Sequence, residues 1–205
     1  MFENNYSEVV SWNNCKNNDL WIFNKLFVAR RSGYVCGPSG VPVPKSGEYF
    51  VKPVMNIEGM GKFARKEYLE NYTDHLHPGE FWCEIFRGEH LSVDYVEGQP
   101  ILSVIGTPDK KHPHQRFIKW EKIKYSIPFP EILLDENLHL KYPIINCEFI
   151  GGNLIEVHLR GNPDFAYNNT EMIPVWKDQE WLVIPDGFEF VPDHEEVDRI
   201  GILIK

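Results

Sequence analysis

Gly151-Gly152-Asn153 is a tight-turn signal between two apolar runs, and it admits little besides an antiparallel hairpin. The first run, Ile144 to Ile150, carries Glu148 near its end. The second, Leu154 to Leu159, alternates. Leu154, Glu156 and His158 fall on one face, and Ile155, Val157 and Leu159 on the other. The hairpin therefore holds one carboxylate on its first strand and a row of Glu156, His158 and Arg160 on its second. Paired carboxylates on rigid neighbouring strands, with a cation at the strand end, suit a metal-bound polyphosphate. Mg²⁺ is usually held by one or two carboxylates together with the substrate's phosphates. The competing reading is a half-exposed hairpin with a charged outer face, common in antiparallel sheets.

The chain has 205 residues, enough for one substantial domain or two small ones. Six Trp and thirteen Phe supply ample apolar surface for a core. A net charge of −9 argues against non-specific nucleic-acid binding through a basic surface. Cys15, Cys36, Cys83 and Cys147 are scattered, form no C-x-x-C pair, and read as reduced thiols of a cytoplasmic protein. No apolar run approaches the ~18 residues of a membrane span. The Asn-rich start reads as no common targeting signal, and no membrane partner is expected.

Residues 1–18 read as a loosely ordered arm and 19–205 as a single α+β unit, mostly antiparallel sheet with few short helices. Asp19 is a plausible N-cap for a helix over Leu20–Ser32, with Gly33 just past its end. The Pro- and Gly-rich link 37–44 cannot be helical. Tyr49–Val54 predicts a strand that Pro53 ends or keeps at an edge. Residues 56–62 form a glycine-containing loop rimmed by Lys52 and Lys62, and Ala64–Glu70 is a short helix candidate. Glu80–Phe86 and Leu91–Val96 predict a hairpin around Arg87–His90, with Gln99–Ile105 as a third strand of a meander. A mobile loop over 107–116, a strand around Trp120 and a short helical piece within 127–140 precede the focal hairpin. Short strands follow around Val175, Leu182–Ile184, Phe188–Phe190 and Ile200–Ile204.

Taken in order, these pieces resemble the ATP-grasp enzymes. Asn24-Lys-Leu-Phe-Val-Ala-Arg-Arg-Ser-Gly33 and the proline link resemble the family's Lys-containing helix, glycine and proline turn. Phe50-Val-Lys-Pro-Val54 is similar to the strand whose Lys-Pro lies under the nucleotide phosphates. Residues 56–62 resemble the glycine-rich loop that folds over them. Cys83 to Asp94 is similar to the strand leading away from the adenine hinge. Glu148 and Glu156-Val-His-Leu-Arg160 resemble the two metal-binding acidic positions. The chain departs from the family pattern in having His158 where an Asn is usual, and in lacking the usual N-terminal α/β domain. The likeness extends in general style to small bacteriophage proteins, for which the compartment would be the host cytoplasm.

The resemblance implies ATP and Mg²⁺ as cofactors, and an ATP-dependent ligase activating a small carboxylate substrate through an acyl phosphate. Lys25 and Lys52 would hold the α/β phosphates. Gly59 and Gly61 would bring backbone N–H groups close to them, with Lys62 beside them. Glu84 and Glu89 would meet the ribose or adenine. Glu148, Glu156 and His158 would hold metal. Arg160 would steady the transferred phosphoryl or the substrate carboxylate with a bidentate fork. Two other readings stand beside this one: a nucleotide-binding module without turnover, and a non-enzymatic interaction or virion-associated protein. A zinc site from His75, His77, His112 and His114 is disfavoured, since all lie in Pro- and Gly-flanked loops with no Cys at ligand spacing. Cys83 and Cys147, in apolar strands, read as inert packing.

Overall fold

A computed structural model of the chain describes residues 6–55, 61–179, 183–193 and 198–205. Two antiparallel sheets organise it. The smaller contains β1 (Cys36–Pro38), β2 (Gly47–Pro53), β3 (Arg65–Leu69) and β4 (Glu80–Cys83), in the order β1-β4-β2-β3. Tyr49 and Val51 alternate into its core with Val43, Leu69, Leu76 and Trp82. Gly37 lies against the Trp82 ring, where a Cβ would come within 2.6 Å of Trp82 Cζ2. Pro53 ends β2 as expected, but β2 is an interior strand, flanked by β3 and β4, rather than an edge. The helix expected over Ala64–Glu70 is the strand β3. So short a segment gains little from helix nucleation. Pairing with β2 from Gly47–Leu69 to Val51–Arg65 decides its form.

The larger sheet contains β5 (His90–Val96), β6 (Gln99–Pro108), β7 (Phe117–Lys122), β8 (Ile145–Ile150), β9 (Asn153–His158), β10 (Glu171–Trp176), β11 (Glu189–Pro192) and β12 (Arg199–Ile204). Its order is β11-β12-β10-β7-β6-β5-β8-β9. The hairpin expected between residues 80–86 and 91–96 does not form. β4 belongs to the small sheet, and β5 lies between β6 and β8. Arg87-Gly88 carries the chain across from one sheet to the other. Gly88 packs on Gly151 so closely that a Cβ at Gly151 would lie 2.0 Å from the Arg87 carbonyl oxygen. The meander is β5-β6-β7, one strand later than expected. Of the expected strand at Leu182–Ile184, Leu182 lies outside the described residues and Val183 and Ile184 are in no strand.

Asn24 interrupts the helix expected over Leu20–Ser32. A 3₁₀ stretch, Asn17–Phe23, precedes it. Helix α2 (Lys25–Arg31) follows, the Phe27 N–H donating to the Asn24 side-chain oxygen at 3.0 Å. Asp19, expected as the N-cap, is buried instead. It accepts from Lys141 at 3.1 Å and from the Tyr142 hydroxyl at 2.9 Å. Gly33, at φ 78°, does close the helix. Where a loose arm was expected, helix α1 (Glu8–Asn14) is capped by Ser7. Two single-turn helices, α3 (Glu131–Leu134) and α4 (Leu138–Lys141), occupy part of the 127–140 stretch.

The main core lies on one face of β5, β8 and β9. Leu91, Val93, Tyr95, Ile145, Cys147, Phe149 and Val157 pack there with Ile22, Phe23, Val28, Leu133 and Leu138. Helix α2 serves both layers, with Val28 in this core and Leu26 and Ala29 against Phe81 and Cys83 of the small sheet. Among the described residues no helix is long and apolar enough to cross a membrane.

Candidate active site

The focal hairpin forms as expected, with one change that sets its chemistry. A bulge between Glu148 and Phe149 pairs Glu148 with Glu156 but Phe149 with Leu154, leaving Ile155 as the extra residue. Strict alternation had put Leu154 with Glu156 and His158. The bulge transfers it to the core face with Val157 and Leu159. The opposite face of β5, β8 and β9 is then polar. Glu148 stands directly across from Glu156, Asn146 from His158, and Ser92 and Asp94 from Glu148 and Asn146. The deepest part is fully paired: the Asn146 amide donates to Ser92 Oγ and Asp94 Oδ1, both at 2.8 Å, and the Asn162 N–H donates to both Asp94 oxygens at 3.0 Å. At the other end His90 lies 3.1 Å from Glu148 and stacks edge-on to Phe117 and Trp120.

Two lysines reach this face from the other layer. Lys25, at the start of α2, brings Nζ to 4.0 Å from Glu156 Oε1. Lys52 Nζ, from β2, donates to the Ile155 carbonyl at 3.3 Å. That carbonyl belongs to an edge strand, so a side chain from the small sheet supplies the partner a neighbouring strand would have given. Burial, and then the charge of Lys25, lowers the Lys52 ammonium from 10.5 to about 8 against the opposing pull of Glu156. Burial by itself would raise Glu148. The hydrogen bond with His90 and the charges of His90, His158 and Arg160 outweigh it and hold the carboxyl low.

Glu8 completes the cluster, and the sequence offered no reason to place it there. It comes from α1, 150 positions before His158, whose Nδ1 lies 3.0 Å from Glu8 Oε2. Arg160 Nε donates to the same oxygen, and His158 Nε2 lies 3.6 Å from Glu156 Oε1. Burial would raise the Glu8 carboxyl. The bond from His158 and the charges of His158 and Arg160 bring it down to about 2 instead. The signal that could have found the helix, though not its docking, is Ser7, which caps α1.

Lys25, Lys52, Glu148, Glu156, His158 and Arg160 are thus brought to one locality. Glu84 accepts from the Val35 N–H at 2.8 Å and lines an open groove of about 380 Å³ with Val35, Lys45, Tyr49 and Ile85. Glu89 is engaged elsewhere, accepting from the Tyr125 hydroxyl at 2.5 Å. Lys62 is exposed and 3.8 Å from Asp198. Gly61, at φ 71°, packs under His114, whose carbonyl a Cβ would meet at 2.5 Å. Gly59 lies outside the described residues. Of the loop histidines, His75 pairs with Glu67, His112 with Asp109, and His114 stacks on Phe50. Burial pushes the Cys83 thiol up to about 12 and raises Cys147, as packed thiols behave.

This two-sheet arrangement is the ATP-grasp fold. Over 98% of this chain and 74% of its own, the N5-carboxyaminoimidazole synthetase of Staphylococcus aureus, solved with ADP, superposes with a TM-score of 0.55 at 10% sequence identity. A putative ATP-grasp superfamily protein from Archaeoglobus fulgidus matches over 90% of this chain at TM-score 0.47 and 12% identity. The L-amino acid ligase of Bacillus licheniformis matches over 68% at TM-score 0.45 and 11% identity. The chain spans 64% of the former protein's length and 41% of the latter's. No family model and no curated relative matches the chain.

Proposed function

We propose that the chain is an ATP- and Mg²⁺-dependent, ligase-like enzyme that activates a small carboxylate as an acyl phosphate. The observation that carries this reading is the convergence of Lys25 and Lys52, from one layer, on the cross-strand pair Glu148 and Glu156 of the other. In the first step a carboxylate oxygen attacks the γ-phosphorus and ADP leaves. In the second a nucleophile attacks the acyl carbon and phosphate leaves. The chain's part is positioning and charge neutralisation. Lys52 would exchange the Ile155 carbonyl for a phosphate oxygen, and Lys25 would share its charge between Glu156 and the phosphates. Arg160 would hold the substrate carboxylate or the transferred phosphoryl.

Among the described residues no three His, Cys, Asp or Glu side chains form a ready-made metal centre. The donor set nonetheless fits Mg²⁺, which takes a carboxylate or two and leaves its remaining positions to phosphate and water. Glu148 and Glu156 would hold the ion, which when bound supplies neutralisation of phosphate charge. His158 faces carboxylates at both ring nitrogens.

Thermal unfolding with and without Mg²⁺–ATP tests the reading. A ligand at ~100 times its Kd stabilises the fold by about 2.7 kcal/mol, which for a chain of this size is a rise of several degrees. The rise should need Mg²⁺ and vanish in Glu156→Gln. No shift at saturating ATP would defeat the proposal. A second reading, nucleotide binding without turnover, is favoured by the engagement of Arg160 with Glu8. Sustained ADP release with any carboxylate excludes it.

A further inference from the structure

Helix α1 is a surface element with one inward prong. Val9 and Trp12 are exposed, and of its seven residues only Ser11 is buried. Its attachments lie mainly at its two ends: before it Tyr6 packs on Gly161, where a Cβ would come within 2.7 Å of Tyr6 Cε1, and after it Cys15 packs against the main core. The Val10 N–H donates to Ser7 Oγ at 3.3 Å, and Trp12 meets Phe23 edge-on at 4.8 Å. Beyond its end, the Lys16 N–H donates to the Tyr142 hydroxyl at 3.1 Å. Glu8 behaves differently from the rest of the helix. Its side chain is 13% exposed, and it meets Arg160 and His158, themselves 16% and 7% exposed. A small helix with little apolar burial thus delivers one carboxylate into a recess lined by Arg160 and His158.

The match between occupant and recess is incomplete. A carboxylate fits a guanidinium best with two parallel bonds. Here Glu8 offers one oxygen to both Arg160 and His158, while Arg160 Nη1 turns to the Gly161 carbonyl at 3.1 Å. The second oxygen, Oε1, is buried with no hydrogen-bond partner among the described residues. The helix backbone restricts how Glu8 can approach, and a free carboxylate carries no such restriction.

We infer that Arg160 and His158 form a carboxylate-binding subsite which Glu8 fills in cis, so that a carboxylate ligand gains entry by displacing α1. The inference rests on the functional reading above, and it adds a built-in competitor to it. Glu8 would keep the recess paired while no acid is bound. The affinity of an acid would be set as much by the hold of α1 as by the subsite itself.

The test uses the full chain and propionate, which carries a carboxylate on a short alkyl stem, against chloride at equal ionic strength. Thermal shift gives an apparent Kd for wild type and for Glu8→Ala. Amide hydrogen exchange follows residues 8–14 in the wild type. The expected result is at least tenfold tighter binding to Glu8→Ala, and faster exchange in α1 of the wild type as propionate fills the subsite. Equal affinities, or a folded Glu8→Ala that binds no propionate, would overturn the inference. So would binding to the wild type with α1 exchange unchanged. If Glu8→Ala does not fold, Ser7→Ala loosens the helix cap while leaving Glu8, His158 and Arg160 in place. It must then tighten propionate binding by a smaller factor, and unchanged affinity would again overturn the inference. Mg²⁺–ATP is titrated in parallel. A nucleotide shift without propionate binding removes the cis occupant and leaves the functional reading standing. Propionate binding without any nucleotide shift does the reverse.

Discussion

Lys52 is where burial and the proposed function pull against each other. Its folded value of about 8 lies below the 10.5 of an unperturbed lysine. Between those two pH values the unfolded chain binds more protons than the folded one, so stability should rise from about pH 8 to pH 10.5. In the proposed function Lys52 meets phosphate as the charged ammonium, so Mg²⁺–ATP affinity should fall over the same window, by at most about tenfold per pH unit. Urea unfolding and nucleotide titration of the wild type and Lys52→Met at pH 7.5 and pH 10 check both trends. The variant should show neither to the same degree. Gly151 offers a second prediction at this scale. Alanine there meets both a φ of 56° and the Arg87 carbonyl, whereas at Gly152, φ 83°, nothing lies within 4 Å of an added Cβ. Gly152→Ala should cost about 1 kcal/mol from backbone strain. Gly151→Ala should cost at least ~2 kcal/mol more, because the crossing from β4 to β5 must shift. Equal urea midpoints for the two variants would contradict the close packing at Gly88.

Helix α2 would link stability to the proposed nucleotide binding. It is two turns long, too short to persist alone, and is held by its cap and by contacts to both layers. Asn24→Ala removes the bond to the Phe27 N–H and should cost about 1 kcal/mol. Because Lys25 is the first residue of the helix, the same change should also weaken Mg²⁺–ATP binding, although Asn24 is placed on no ligand. Calorimetric titration with unchanged nucleotide affinity, at a lowered unfolding midpoint, would show that Lys25 is held by something other than α2. The bulge at Ile155 is the other element-scale feature. It turns a strand with a mixed face into one that is apolar towards the core and acidic towards the lysines.

At the scale of the whole molecule, the two layers meet through polar links across the site. Among the described residues they include Lys52 to the Ile155 carbonyl and Lys25 to Glu156, beside which the His114 loop packs on Phe50 and Gly61. A ligand bound between them should slow exchange in both layers together. Mg²⁺–ATP is expected to protect amides of β2 and of β9 in the same titration. Protection confined to one sheet would place the nucleotide elsewhere.

Local rules determined the hairpin, its two carboxylates, the strand ending at Pro53 and the cap at Gly33, because each depends on neighbouring residues and on steric limits the chain carries with it. They also carried the order of motifs from which the ATP-grasp fold could be expected. Tertiary structure decided the rest. Residues 64–70 read locally as a short helix, and pairing with β2 made residues 65–69 a strand. Arg87–His90 reads as a hairpin turn in isolation, but it is part of a crossing between two sheets, with the Gly151 turn packed against it. Glu8 reached His158 across 150 positions through the docking of a small helix, a contact for which no periodicity exists. Sequence pattern reports which face of an element is apolar. Which polar groups then meet on the other face depends on how the layers stack, and that is set by packing between residues far apart in the chain.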